Sequence, residues 1–299
     1  MPQLKRLVGT AALAAAAYSV AIERRWYTLR EVTAPLLAPG QRALRLLHIS
    51  DLHLMPGQSD KVAWVQRLAD VRPDLVVSTG DHVAVRAALP SLSRALEPLF
   101  AFPGVYVFGS NDHYRARFKW PWVYFAPQHP RPHPAGDRLP VDALHGLFAL
   151  GQWRSAEDRF LWKVSGQLVE IRGCGDAHLG LDDYAAVAGP PSPAAQLSLG
   201  VTHSPYRRVL DAMTADGLGL ILAGHTHGGQ VCVPGHGALV TNCDLEPRRA
   251  KGLSWWQAGG QTAALHVSAG LGTSPYAPFR FACRPEATLL TLVPRAGLG

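Results

Sequence analysis

Five apolar runs of strand length in this chain end at a carboxylate, an imidazole or an amide, and that recurrence restricts the folds open to it. Leu44–Ser50 runs into Asp51-Leu52-His53, Leu75–Thr79 into Gly80-Asp81, and Val105–Phe108 into Gly109-Ser110-Asn111-Asp112-His113. Leu197–Thr202 ends at His203, and Leu218–Ala223 at Gly224-His225-Thr226-His227-Gly228-Gly229. Helical periodicity over Asp60–Val71, with Asp60 as N-cap, and over Leu89–Leu99 separates the first three runs. Strands alternating with helices give a parallel sheet whose carboxyl ends share one edge, so the motif residues should meet there. Side-chain alternation along extended chain puts Asp51 with His53, and His225 with His227, on a common side.

The second half is richer in strands. Leu161–Val164 and Leu168–Gly173 read as a hairpin through Ser165-Gly166, Val231–Val233 and Ala238–Val240 flank Pro234–Gly237, and Ala263–Ser268 and Ala287–Leu292 are extended. Tyr206–Met213 reads as a helix, with Ser204 as N-cap and Pro205 in its first turn. A second sheet packed on the first is therefore expected, and 47% apolar residues are ample for a core between them. The expected organisation is a hydrophobic anchor or signal over 1–25, a linker over 26–43 that contains the proline- and glycine-bearing Thr33–Gly40, and one α/β domain over 44–299.

Leu7–Ile22 is a run of sixteen uncharged residues between Lys5-Arg6 and Glu23-Arg24-Arg25. Three readings fit it: a membrane anchor, a signal cleaved after Ser19-Val20-Ala21, or an amphipathic or buried helix. Membrane association through this segment is the expectation, and basic residues at both ends leave the side of the membrane unset. The net charge of +7 is spread along the chain without a dense basic stripe, so specific nucleic-acid binding is not expected. A phosphate-bearing substrate or an anionic membrane accounts for it equally. P-loop and dinucleotide fingerprints are absent. Cys174, Cys232, Cys243 and Cys283 form no C-x-x-C pair and read as buried thiols, with a Cys232–Cys243 contact across a hairpin as the alternative.

Asp51, His53, Asp81, Asn111, His203, His225 and His227 supply carboxylate, imidazole and amide oxygen. Such mixed donors suit manganese, iron or zinc, and seven groups with one bridging carboxylate suit two divalent ions some 3.5–4 Å apart with positions left for water and a phosphoryl oxygen.

These motifs, in this order, resemble the signature of the calcineurin-like metallophosphoesterase superfamily: Asp-x-His, Gly-Asp, Gly-Asn-His-Asp or Glu, a lone His, and Gly-His-x-His. The resemblance covers roughly Leu44 to Val293. Gly224–Gln230 and Gly270-Leu271-Gly272-Thr273-Ser274 are similar to the bacterial membrane-associated branch, which includes phosphodiesterases and a lipid-linked pyrophosphatase. The resemblance implies a four-layer α/β/β/α sandwich of two mixed sheets, and hydrolysis of a phosphodiester or pyrophosphate, on a small-molecule or lipid-linked substrate. It also implies one metal held by Asp51, His53, Asp81 and His227, the other by Asp81, Asn111, His203 and His225, with Asp81 bridging.

One position departs from the signature. After the metal-binding Asn111, Asp112 stands where the family has the histidine that acts near the leaving group, and His113 follows one place later. Asp112 beside two dications is a poor proton donor, so either His113 serves as the acid or the leaving group needs none. The alternative is a non-catalytic metal-binding or scaffold relative that lost this acid. His82 reads as either a residue supporting the metal ligands or a surface histidine, Asp176-Ala177-His178 as a structural turn, and His48 as a satisfied core histidine. Tyr114–Arg138 interleaves aromatic and basic residues, a pattern suited to stacking, to covering an acyl chain or to a membrane interface, and equally to a surface loop.

Overall fold

The computed structural model describes residues 1–118, 120 and 138–296. α1 (Pro2–Ala21) leads into β1 (Thr28–Leu37). Then β2 (Leu44–Ile49), α2 (Ser59–Gln66), β3 (Leu75–Ser78), α3 (Leu89–Leu96), β4 (Gly104–Tyr106), the single turn α4 (Ser110–His113), α5 (Val141–Leu150) and β5 (Arg154–Ser155) complete the first half. The second contains β6 (Phe160–Val164), β7 (Gln167–Gly173), β8 (Leu197–Val201), α6 (Arg207–Ala215), β9 (Leu220–Ala223), β10 (Cys232–Val233), β11 (Gly237–Ala238), β12 (Gly252–Ala258), β13 (Gln261–Val267) and β14 (Glu286–Pro294).

Two six-stranded mixed sheets result, in the orders β1-β14-β2-β3-β4-β5 and β12-β13-β9-β8-β7-β6. β2, β3, β4 and β5 run parallel, as do β7, β8, β9 and β13, so the functional strand ends gather on one edge of each sheet. The two-residue period of the strands sorts the core. In β2, Leu44 and Leu46 face the second sheet, where they meet Leu199, Val201 and Leu222, while Leu47 and Ile49 face Val65, Leu92 and Phe148 on the helical side. On the far face of the second sheet, α6 packs Val209, Leu210 and Met213 on Ile221, Ala263 and Leu265. The expected α/β/β/α sandwich is what forms, since each sheet must bury both faces.

The chain departs from expectation at its start. Residues 26–43, read as a linker, carry β1, an edge strand paired along its length with β14 and burying Ala34 and Leu37. Proline misled the reading because it argues against a central strand; Pro35 is tolerated where the strand pairs on one side only, and the register shifts there. Smaller differences are caps: α2 is capped by Gln58 rather than Asp60, and α6 by Tyr206, because the Ser204 hydroxyl donates to Asp176. Cys232 approaches Cys283 rather than Cys243, both thiols reaching the Gly228 carbonyl, at 3.2 and 3.4 Å.

α1 is held at its C-terminal end. Arg280 N donates to the Ser19 carbonyl at 3.1 Å, and the buried Glu23 carboxylate accepts from Ala282 N and Cys283 N at 3.0 and 2.6 Å. The other described side chains of the helix are largely exposed, with Leu13 at 74%. Among the described residues no helix is long and apolar enough to cross a membrane.

Deleting residues 1–43 should lower the thermal unfolding midpoint by more than about 5 °C, because losing β1 with its two buried side chains costs more than about 2 kcal/mol. Deleting residues 1–17 keeps the Ser19 and Glu23 contacts and should leave it within about 2 °C; calorimetry on both truncations checks the difference.

Candidate metal centre

The motif residues leave the extended conformation as soon as their strands end. Asp51, His53, Asp81, His225 and His227 all have positive φ, at 50°, 41°, 56°, 70° and 51°. The expectation that Asp51/His53 and His225/His227 share a side through strand alternation is therefore corrected: left-handed turns, not pleats, aim these side chains. Each such residue costs of order 1–3 kcal/mol, so surrounding bonds must hold it. Asp51 N donates to Gly80 O and His53 N to Asp81 O, both at 2.9 Å, and His225 N donates to the Asp51 carboxylate at 3.1–3.2 Å. Glycine makes the approach close enough: a Cβ on Gly109 would stand 2.3 Å from Asp81 Oδ1, and one on Gly224 1.9 Å from Ser50 Oγ.

The side chains converge in two overlapping groups. Donor atoms of Asp51, His53 and His227 lie within 4.8 Å of one another, as do those of Asp51, Asp81 and His203. His53 Nε2 is 3.1 Å from His227 Nε2 and 3.3 Å from Asp81 Oδ2, and His203 Nε2 is 3.6 Å from Asp81 Oδ2. His225 lies outside both groups, its ring 5.2 Å from that of His203 and its Nε2 3.0 Å from the Asn242 carbonyl.

His203 Nδ1 donates to the Thr79 carbonyl at 2.6 Å, which turns Nε2 toward the carboxylates. Burial pulls this imidazole down, but Asp81, Asp176, Asp51 and the Thr79 carbonyl outweigh it and raise it to about 9, so at pH 7 Nε2 holds a proton that a metal would displace. Burial holds the His53 imidazole down at about 4 and His227 well below its usual range, so both rings are neutral donors at pH 7. Burial raises Asp51 to about 6, whereas at Asp81 the burial effect is outweighed by His203, His53 and the bonds from Asn111, and its carboxyl falls below the usual range. The neutral imidazoles of His53 and His227, with His203 and the two carboxylates, form a set of nitrogen and oxygen donors that can hold divalent metals.

Residues 44–229 match the calcineurin-like phosphoesterase family. The chain belongs to that family. It is 25% identical to the uncharacterized metallophosphoesterase YkuE of Bacillus subtilis, over 89% of this chain and 84% of that protein. It is 27% identical to phosphodiesterase YaeI of Escherichia coli, over 91% and 90%. A Bos taurus transmembrane protein with metallophosphoesterase domain is 27% identical over 89% of this chain, which spans 56% of that protein. As a metallophosphoesterase the chain is a phosphoester hydrolase, and divalent metals are typical of its family.

Within this metallophosphoesterase, Asp112 is not a proton donor at the reacting centre. It is fully buried and accepts from Asp81 N (2.8 Å), His82 N (2.8 Å), Gly109 N (3.0 Å) and His82 Nδ1 (2.9 Å), clamping the loop that carries Asp81. It is thus the acidic last place of Gly-Asn-His-Asp. Aligned without a gap, Ser110 takes the asparagine's place and Asn111 the histidine's. Both line the cavity, and Asn111 binds Asp81 through its backbone N and its amide, each at 2.7 Å. His113 is also corrected as a candidate acid: its ring packs on the Phe108 edge, 6.1 Å between centroids, and it does not line the cavity. His82, held between Asp112 and Ser78 Oγ, supports the loop from behind.

The cavity, about 310 Å³, opens over His53, Asp81, His225 and His227. His178, read as part of a turn, lines it with its ring 4.9 Å from that of His225, steadied by Asp176 through its backbone N and by the Tyr206 hydroxyl at Nδ1. The repeated Asp-x-His spelling was the available signal. Arg280 gave none: a lone arginine in a loop, it is fully buried and donates to the carbonyls of His227, Ala269, Gly270, Gly272 and Cys283, tying the floor of the site together. Most of the aromatic and basic stretch in Tyr114–Arg138, including Lys119, Trp122, Tyr124, Phe125 and Arg131, lies outside the described residues.

Asp112→Ala strands four donors and should destabilise the protein by at least about 3 kcal/mol in denaturant titration. His113→Gln should leave both stability and hydrolysis close to the parent.

Proposed function

We propose that this metallophosphoesterase cleaves a phosphodiester or pyrophosphate bond using two divalent ions, manganese, iron or zinc. The observation that carries the reading is the convergence of buried nitrogen and oxygen donors in two overlapping groups, Asp51, His53 and His227, and Asp51, Asp81 and His203, each with its donor atoms within 4.8 Å of one another. Asp51, His53 and His227 would hold one ion, and Asp81, His203, His225 and the Ser110–Asn111 turn the other. When bound, the metals supply Lewis-acid activation of water and neutralise charge at phosphorus. The chain orients its ligands, through Thr79 on His203 and Asn242 on His225, and shelters them from bulk water.

Asn111 can donate a hydrogen bond to the leaving group but not a proton. A phosphate leaving group, with a second pKa of about 6, departs without one, so pyrophosphate bonds and activated diesters should be preferred over alkyl phosphodiesters. Manganese-dependent hydrolysis of an aryl phosphodiester should be lost in Asp81→Ala and His203→Ala and suppressed by chelation. A parent protein that binds metal yet hydrolyses neither class of substrate would favour the scaffold reading.

The substrate reading extends to a lipid-linked phosphate. Ala116, Val231, Leu239, Val240 and Phe279 give the cavity an apolar wall, and Phe118 and Tyr276, 6.4 Å apart, stand exposed near it. Ser274 and Phe279 belong to the same segment that anchors α1 at Arg280, Ala282 and Cys283, which supports a membrane surface close to the cavity mouth. Full-length protein should sediment with anionic phospholipid vesicles and lose most of that binding when residues 1–17 are removed; equal binding by both forms argues against it.

A further inference from the structure

A file of buried hydrogen bonds runs from the core between the sheets to the metal centre. His48 on β2 and His266 on β13 face each other across the interlayer gap, Nδ1 to Nδ1 at 2.9 Å, both within 1% of complete burial. His48 Nε2 lies 2.9 Å from Thr79 Oγ1, Thr79 Oγ1 2.7 Å from Ser50 Oγ, and Ser50 Oγ 2.6 Å from Asp51 Oδ2.

The carboxylate end dictates the direction of every bond. Ionised Asp51 only accepts, so Ser50 gives it its single proton and must accept from Thr79. Thr79 has then used its own proton and accepts from His48 Nε2–H. Two buried imidazoles facing at 2.9 Å cannot both present N–H, so His48 Nδ1 is the lone pair and His266 carries its proton on Nδ1. No member of the file can reverse its bond without leaving a buried donor or acceptor unpaired, and donors aligned in one sense polarise one another toward the carboxylate.

We propose that His48 and His266 are positioning residues that, through Thr79 and Ser50, fix the orientation of the Asp51 carboxylate and tune its strength as a metal ligand. The inference rests on the reading of Asp51 as a ligand. It explains why two histidines occupy an otherwise aliphatic interlayer core, where Leu46 and Ala264 are their inward-facing neighbours along the strands. It also makes the contact between the two sheets part of the metal centre.

Calorimetric titration of metal-free protein with Mn²⁺ tests it, alongside the unfolding midpoint of each metal-free variant. Thr79→Val is nearly isosteric and cuts the file in the middle; His48→Phe removes the donor to Thr79 and the acceptor of His266. Both should weaken Mn²⁺ binding by about 10–100-fold, the usual effect of losing a residue that orients a ligand. His48→Gln keeps a donor for Thr79 and an acceptor for His266, and should bind within about threefold of the parent. A role in packing alone would lower the unfolding midpoint without moving the dissociation constant. Parent-like affinity in folded Thr79→Val overturns the proposal by itself; failure of the parent to bind Mn²⁺, Fe²⁺ or Zn²⁺ overturns it together with the function on which it rests.

Discussion

Two buried carboxylates, Asp51 and Asp81, are the constraint around which the rest of this structure is arranged. Removing such groups from water is costly, and the chain offsets that cost with directed donors: Ser50 Oγ and His225 N on Asp51, Asn111 N and its amide on Asp81. Of the imidazoles surrounding them, His203 is oriented through its far nitrogen, Nδ1 donating to the Thr79 carbonyl.

Those donors come from loops after five strands in two different sheets, and the sandwich exists to register these loops against one another. Asp112 locks the Asp81 loop to the Gly109 turn, Gly80 O receives Asp51 N, and Arg280 gathers carbonyls from three segments beneath His227. The strained left-handed residues are concentrated at these strand ends, where such bonds can hold them. The end of α1 reaches the same floor through Glu23, so the N-terminal helix is mechanically part of the site's surroundings.

Much of this was legible beforehand. Apolar runs such as Leu44–Ser50 and Leu75–Thr79 announce themselves by hydrophobicity and length, and their polar terminators stand out because an abrupt carboxylate or histidine at a strand end has little reason to be there except chemistry. β1 was hidden because Pro35 and the nearby glycine imitate a linker. Its partner, β14, lies at the opposite end of the chain, and no local pattern records a pairing over that separation. The Ser110–Asn111–Asp112 register was misread for a related reason: which residue of a short polar run points inward depends on the turn's geometry, and the burial of Asp112 against four donors settles it.

The sequence by itself determined the layered α/β class, the order of the ligand motifs and the kinds of donor atom they bring, because periodicity and residue chemistry are local properties. Only the tertiary structure decided that left-handed turns aim those donors, that Asp112 is a clamp, that His178 enters the cavity and that His48 and His266 reach Asp51 from the core. Each of those facts depends on segments far apart in the chain meeting at hydrogen-bond distance, and that proximity is a consequence of packing two sheets face to face.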